Sequence, residues 1–289
     1  MPMPSRWLSS VLLRYGSHLI LFDCGEATQV SLQALGWGIK GIDLVLISHL
    51  HGDHVAGLPG LLLTQGNSGR TEPLDVLGPP GLTDAVRQLR VIAPYLPFEV
   101  RCRDLARGDT FNLDDLRGTC ATGQHHVPCM AYRLDLPRGR AFLPERARAL
   151  NVPLDLWRRL QNEEVVTWTG GAATPDDVLG PPRRGLSLAL VTDTRPTPEL
   201  ERLAHDVDLL VCEGTYGSDD DRDKALERKH MTFSEAGTLA RNANARQLLL
   251  THFSPAVTDP ASFASNATAI FPNTIVGRDH LTLSLKFDP

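Results

Sequence analysis

The sequence is short of several things, and each shortage removes a class of protein. Aromatic residues make up only 6% of the 289 residues. The five cysteines, Cys24, Cys102, Cys120, Cys129 and Cys212, are odd in number, scattered and never spaced as CxxC. That pattern argues against a disulfide-stapled scaffold and against a thiolate zinc site, so a reducing cytoplasm is the expected compartment. No apolar run approaches the roughly 18 to 20 residues that cross a bilayer, and residues 1–10 lack the charged start and apolar core of a signal peptide. No membrane partner is expected. Positive charge is also scarce, with 29 Lys and Arg against 34 Asp and Glu and a formal net charge of −5. A polyanion would have to be held by a local basic patch rather than by the overall field.

What is present is an ordinary globular composition, 42% hydrophobic and 22% charged, enough for one large domain or two fused halves. Segments 10–15 and 18–22 flank Gly16-Ser17 and predict a β-hairpin. A helix over 27–35 precedes the apolar run Leu44-Val45-Leu46-Ile47, the pattern of a strand buried on both faces. Next come a strand over 74–77, the turn Gly78-Pro79-Pro80-Gly81, a helix over 82–93 and β-rich segments through 98–133. The second half alternates again, with strands over 186–192, 209–213 and 247–251 and helices over 198–205 and 233–242. Two sheets with outer helices is the simplest architecture. Segment 135–179 breaks this rhythm with Arg- and Pro-containing helical stretches, an exposed-looking Trp157 and a Gly170-Gly171 break. It reads either as a substrate-contacting arm inserted into a single 1–289 domain or as a surface excursion between the sheets.

The strongest signal is Ser48-His49-Leu50-His51-Gly52-Asp53-His54, directly after the apolar strand. Imidazole and carboxylate groups suit zinc or a similar divalent ion, and a tight turn at a strand end aims them into one volume. A helix is expected to follow from Ala56. Only ten histidines occur in the chain, and three of them with an aspartate inside six residues are not an accidental polar turn. His18, His205 and His280 have no such context and read as surface or packing residues.

The HxHxDH motif resembles that of the metallo-β-lactamase superfamily, which implies an α/β, four-layer αββα sandwich. The resemblance implies further ligands at strand ends, and Gln124-His125-His126-Val127-Pro128, Val191-Thr192-Asp193 and Leu250-Thr251-His252 fill those places. It assigns His49, His51 and His125 to one ion, Asp53, His54 and His252 to a second, and Asp193 to the bridge. His126 remains the alternative to His125. The cofactors implied are two divalent ions per chain, zinc or else manganese. A pair of such ions activates a water and neutralises charge on an attacked phosphoryl or carbonyl group.

Longer segments narrow the reaction. Phe22-Asp23-Cys24-Gly25-Glu26-Ala27-Thr28-Gln29, the run SHLHGDHVAGLPGL over 48–61, Asp193-Thr194-Arg195-Pro196 and Thr251-His252-Phe253-Ser254-Pro255 together resemble the ribonuclease Z family. The resemblance implies an endoribonuclease that cuts precursor tRNA by hydroxide attack on a phosphodiester and leaves a 3′-OH. It also implies a homodimer. The alternative keeps the site and changes the substrate to a small or cyclic-nucleotide phosphodiester; a non-catalytic RNA-binding scaffold fits poorly, since every ligand place is filled. Glu213 in Cys212-Glu213-Gly214-Thr215 and His230 in Lys229-His230-Met231-Thr232 resemble further family motifs. His230 is expected to protonate the leaving oxygen with Glu213 orienting it, and Asp53 to accept a proton from the attacking water. His230 also reads as a residue beside a helix cap, since Thr232 and Glu235 fit a capping box. Glu213 also reads as a brace of the strand end, and Asp23 and Thr28 read as braces of the loop beneath the metals.

Two departures from the family pattern stand out. The usual first strand with a Leu-Gly-Thr-Gly segment has no counterpart at Met1-Pro2-Met3-Pro4, so one edge element is expected to be missing, either because the given start is late or because the protein tolerates the loss. The arm's usual Gly-Pro motif is absent from 152–160. There Arg158, Arg159 and Trp157, with Arg138, Arg140, Arg146 and Arg148 nearby, are the candidate phosphate contacts and stacking surface, or else a solvated helix face.

Overall fold

The computed structural model describes Met3 and residues 6–288. The chain divides into two units, one built from the residues up to Leu134 and Ser187–Leu285, the other from Asp135–Leu186 and the chain end from Lys286. The expected loss of a first edge strand concerns the start of the chain, which apart from Met3 lies outside the described residues until residue 6.

In the first unit the hairpin forms as the sequence predicts. Strands β1 (Val11–Tyr15) and β2 (His18–Phe22) pair antiparallel, with Gly16 at φ 56° supplying the left-handed turn. They begin a five-stranded sheet in the order β1-β2-β3-β4-β5, with β3 at Ile42–Leu46, β4 at Leu74–Gly78 and β5 at Val100–Asp104. From β2 onward the pairs are parallel, so each return needs a crossover. The helices α1 (Thr28–Leu35), α2 (Gly52–Val55), α3 (Leu58–Asn67) and α4 (Leu82–Leu89) lie in those crossovers. Leu32, Leu58, Leu61, Leu62, Leu82 and Val86 pack on Val45, Leu74 and Val76 of the sheet. On the other face Phe22 meets the Tyr132 ring edge-on at 5.8 Å, and the Tyr132 hydroxyl donates to the Ile47 carbonyl at 2.6 Å. Both faces of β3 are therefore covered, as its unbroken apolar run demands.

Several element boundaries differ from the sequence reading, two of them in the first unit with a definite cause or consequence. The motif helix starts at Gly52 rather than Ala56, so Asp53 and His54 ride on a single helical turn while His51, extended at ψ 151°, precedes it. Helix α4 stops at Leu89 and tightens into a 3₁₀ turn at Arg90–Ile92. Pro94 accounts for the stop, because its ring disfavours a helical Ala93, which sits at φ −135°.

The second sheet opens with β6 (Thr110–Leu113), β7 (Leu116–Thr122) and β8 (Met130–Arg138). The chain then builds the second unit with α5 (Pro144–Ala149), α6 (Trp157–Gln161), the paired strands β9 (Val166–Trp168) and β10 (Gly171–Ala173), and α7 (Pro175–Val178). It returns as β11 (Arg183–Val191), followed by α8 (Pro198–Leu203), β12 (Leu209–Glu213), α9 (Arg222–Arg228), α10 (Phe233–Asn242), β13 (Leu248–Thr251), α11 (Ala264–Thr268) and β14 (Thr274–Val276). The sheet order is β14-β13-β12-β11-β8-β7-β6. Leu200, Leu203, Phe233, Ala236, Leu239 and Ala240 cover its outer face against Ala189, Leu210, Cys212 and Leu248. Helix, sheet, sheet and helix are the four layers of the expected sandwich.

The second unit has its own small core of Ala147, Val152, Leu160, Val166, Ala173, Val178 and Leu179. Trp157 is not the exposed stacking surface that the sequence suggested. Its ring packs 5.1 Å from Phe142, its indole N–H donates to the Val152 carbonyl at 3.0 Å, and Arg148 lies over it. A large ring in so small a unit is worth more as core than as an open platform. The arginines are also mostly occupied. Arg140 pairs with Glu163 and Asp176, Arg159 with Glu164, and Arg138 covers Phe287. The exposed Arg158 has no ion pair among the described residues.

Candidate metal centre

Parallel pairing brings the ends of β11, β12 and β13 to one edge of the second sheet, and the carboxyl end of β3 leads into the histidine-rich turn. Asp193 and His252 follow β11 and β13, and Asp23 follows β2, with φ of 49°, 56° and 57°. A left-handed conformation costs a non-glycine residue about 1 kcal/mol or more. Three such residues at one place mark backbone bent to aim side chains.

The structure brings the seven sequence-derived ligand candidates together in two groups. In the first, His49 Nε2 and His51 Nδ1 lie 2.9 Å apart, and His125 Nε2 lies 3.3 Å from His51 Nδ1. In the second, His54 Nε2 and His252 Nε2 lie 3.1 Å apart, each 3.8 Å from Asp53 Oδ2. Asp193 stands between them. Its Oδ2 is 3.6 Å from His49 Nε2, while its Oδ1 is 3.2 Å from His252 Nε2 and 3.5 Å from His54 Nε2. His126 points elsewhere, its Nε2 at 3.1 Å from the Glu227 carbonyl, so of the adjacent pair it is His125 that joins the group.

The electrostatics suit cation binding. Burial, with the neighbouring imidazoles, pulls His49 down to about 2, which keeps it neutral with a lone pair to give. Burial would raise Asp193, yet His252, His54 and His49 hold it well below the ordinary carboxylate range. Converging imidazole nitrogens around a buried carboxylate are a donor set that fits divalent metal.

A second layer of contacts orients these donors. Asp23, fully buried, accepts from the Ser48 amide at 2.7 Å, from the Ser48 hydroxyl at 2.9 Å and from His54 Nδ1 at 2.7 Å. A ring held at Nδ1 in this way presents Nε2 in a fixed direction. Thr28 donates to the Gly25 carbonyl at 2.7 Å, a bond within the loop after β2. Glu213 takes the amides of Thr194 at 2.6 Å and Met231 at 3.0 Å, and receives His230 Nδ1 at 3.1 Å. It thereby joins the Asp193 loop to the His230 segment. The capping box of α10, Thr232 with Glu235, is also present, so His230 flanks a cap and meets Glu213 at once.

Sequence reasoning missed two supports. Arg195 clasps Glu235 and donates to the His230 carbonyl, and Thr215 lies between Glu213 and two histidines. Both lie in segments that resemble the family's motifs, but the sequence assigns neither a role, because each acts on side chains distant in sequence.

Residues 18–253 match the model of the β-lactamase superfamily domain. Among solved structures, the chain is similar to the short form of human tRNase Z, at TM-score 0.70 and 23% identity over 99% of this chain and 95% of that one. It is also similar to a metallo-β-lactamase fold protein from Bacillus subtilis, at TM-score 0.69 and 19% identity over 96% and 91%. These likenesses concern the fold. Ribonuclease Z of Clostridium botulinum (strain Eklund 17B / Type B) is 43% identical over 99% of this chain and 96% of its own length. Ribonuclease Z of Clostridioides difficile (strain 630) is 44% identical over 99% and 95%. With the fold, the motif and this full-length similarity in agreement, the chain belongs to the ribonuclease Z family of metallo-β-lactamase-fold enzymes.

Proposed function

We propose that His49, His51 and His125 hold one divalent ion, that Asp53, His54 and His252 hold a second, and that Asp193 bridges them. The observation that supports this most is the placement of Asp193, whose two buried carboxylate oxygens face opposite groups. The imidazole-rich set favours zinc, with manganese as the alternative. When bound, such a pair lowers the pKa of water and offsets charge on an attacked phosphoryl group.

The chain is a metal-dependent endoribonuclease that processes tRNA 3′ ends; its own residues supply the rest of the chemistry. Asp53, the more open of the two site aspartates with 37% of its side chain exposed, is placed to take a proton from the attacking water. His230, fixed at Nδ1 by Glu213, keeps its other ring nitrogen for the leaving oxygen, and a positioned imidazole contributes typically 10²- to 10⁴-fold. Arg158 in the second unit is the phosphate contact we assign to the arm.

We further propose that the enzyme works in the cytoplasm as a homodimer. No helix among the described residues is long and apolar enough to cross a membrane. Helices α1 and α3 carry no charged residue, and Val30 and Leu63 on them are 47% and 40% exposed. An uncharged face suits a two-fold interface, where a charge near the axis would meet its own copy. Incubation with a precursor tRNA bearing a 3′ trailer, beside a generic phosphodiester, tests the function. Cleavage of the precursor at the trailer junction is expected, and cleavage of the generic ester alone would overturn the tRNA assignment.

A further inference from the structure

Thr215 follows β12, is 6% exposed, and has its backbone fixed beside the end of β13. The Gly214 amide donates to the Thr251 carbonyl and the Ser254 amide to the Thr215 carbonyl, at 2.8 and 2.9 Å, so Thr215 is tied on both sides of His252. Its hydroxyl oxygen has four polar neighbours. Glu213 Oε2 is at 2.6 Å, the His252 carbonyl at 3.1 Å, His230 Nδ1 at 3.2 Å and His252 Nδ1 at 3.3 Å.

A hydroxyl has one proton and two lone pairs. Glu213 is the nearest acceptor and the charged one, and a bond to an ionised acceptor is the stronger. If the proton went instead to the His252 carbonyl, two oxygens would face each other at 2.6 Å with no proton between them. The proton therefore goes to Glu213, and the lone pairs are left for ring N–H groups. His230 already has the Glu213 carboxylate at 3.1 Å. His252 does not: its Nε2 faces Asp193 and His54, and the polar side chain within hydrogen-bond distance of its Nδ1, among the described residues, is Thr215. If Nε2 gives a lone pair to a metal, Nδ1 must carry the proton and needs an acceptor.

We propose that Thr215 is a positioning residue whose hydroxyl couples Glu213 to His252, so that one buried carboxylate orients His230 directly and the second ion's imidazole ligand through the hydroxyl. This rests on the assignment above of His252 as a ligand and His230 as proton donor. Two amide bonds hold Glu213 still, so the orientation passed through Thr215 is a fixed one.

The test uses the full-length chain, stripped of metal and titrated with Zn²⁺ against a chelator of known affinity, and kcat and KM on precursor tRNA. Thr215→Val keeps the shape and deletes the hydroxyl, Thr215→Ala deletes it without crowding, and Thr215→Ser keeps it. Both hydroxyl-free variants are expected to bind one of two Zn²⁺ about 10- to 100-fold more weakly, to lose kcat and to keep KM, while Thr215→Ser restores both. Wild-type affinity for both ions in Thr215→Ala, or a Thr215→Ser variant as impaired as Thr215→Val, overturns the proposal. His252→Ala separates the two levels. If it leaves both ions bound at wild-type affinity, the ligand assignment fails; if it loses an ion while Thr215→Ala loses nothing, only the coupling fails.

Discussion

The two units use polar residues in opposite ways. In the first, histidines and aspartates converge at strand ends, their ring nitrogens and carboxylate oxygens 2.9 to 3.8 Å apart. Converging imidazole and carboxylate donors of this kind suit a divalent cation. In the second unit, arginines, glutamates and aspartates pair among themselves: Arg140 alone engages both Glu163 and Asp176, and their hydrogen bonds raise its pKa. Polar groups that satisfy one another hold a small fold together.

Substitutions sharpen that contrast, and the largest effect is expected at the bridge. Asp193→Ala should abolish binding of two ions and reduce precursor cleavage to background, while secondary structure is retained; metal analysis and circular dichroism check it. His230→Ala comes next. It should lower kcat by about 10²- to 10⁴-fold while metal content is unchanged, and a loss of metal would instead make His230 a ligand.

Breaking the second unit should do something different. Trp157→Ala removes a half-buried ring and should destabilise that unit by roughly 3 kcal/mol, the low end for an aromatic truncation. Limited proteolysis within 135–186 should become fast and precursor cleavage slow, while hydrolysis of a small phosphodiester persists. If both activities fall together, the units are not functionally separate.

The smallest effect concerns a histidine outside the centre. His18 donates from both ring nitrogens to Asp43 and Asp114, each at 2.8 Å, which requires the imidazolium. Hydrogen bonds to Asp43 and then Asp114 raise its pKa above the ordinary value. Its stabilisation is thus complete below the unfolded-state pKa and disappears as pH rises through the higher folded-state value. Melting temperature should fall modestly as pH rises from the ordinary histidine pKa through the raised one of the folded state, and His18→Gln should flatten that fall. An unchanged slope in the variant would assign the dependence elsewhere.

Much of this was legible in the chain. The run Leu44-Val45-Leu46-Ile47 gave a doubly covered strand because only apolar side chains tolerate burial on both faces. The spacing of His49, His51, Asp53 and His54 places four donors within six residues, so local geometry alone gathers them. Trp157 misled, because a tryptophan among arginines looks exposed until Phe142 is seen to pack on it. Thr215 stood in a motif but without a role, since its hydroxyl acquires one only from neighbours that arrive from β13 and from the segment before α10.

By itself, then, the sequence determined the order of strands and helices, the donor types and the contiguous run of candidate ligands from His49 to His54, all of them set by local pattern. Only the tertiary structure decided that Asp193 divides its oxygens between two groups, that His125 turns inward while its neighbour does not, and that Glu213 reaches His252 through Thr215. Those facts depend on parallel strands ending at one edge, and residues far apart in the chain meet there only once the sheet has formed.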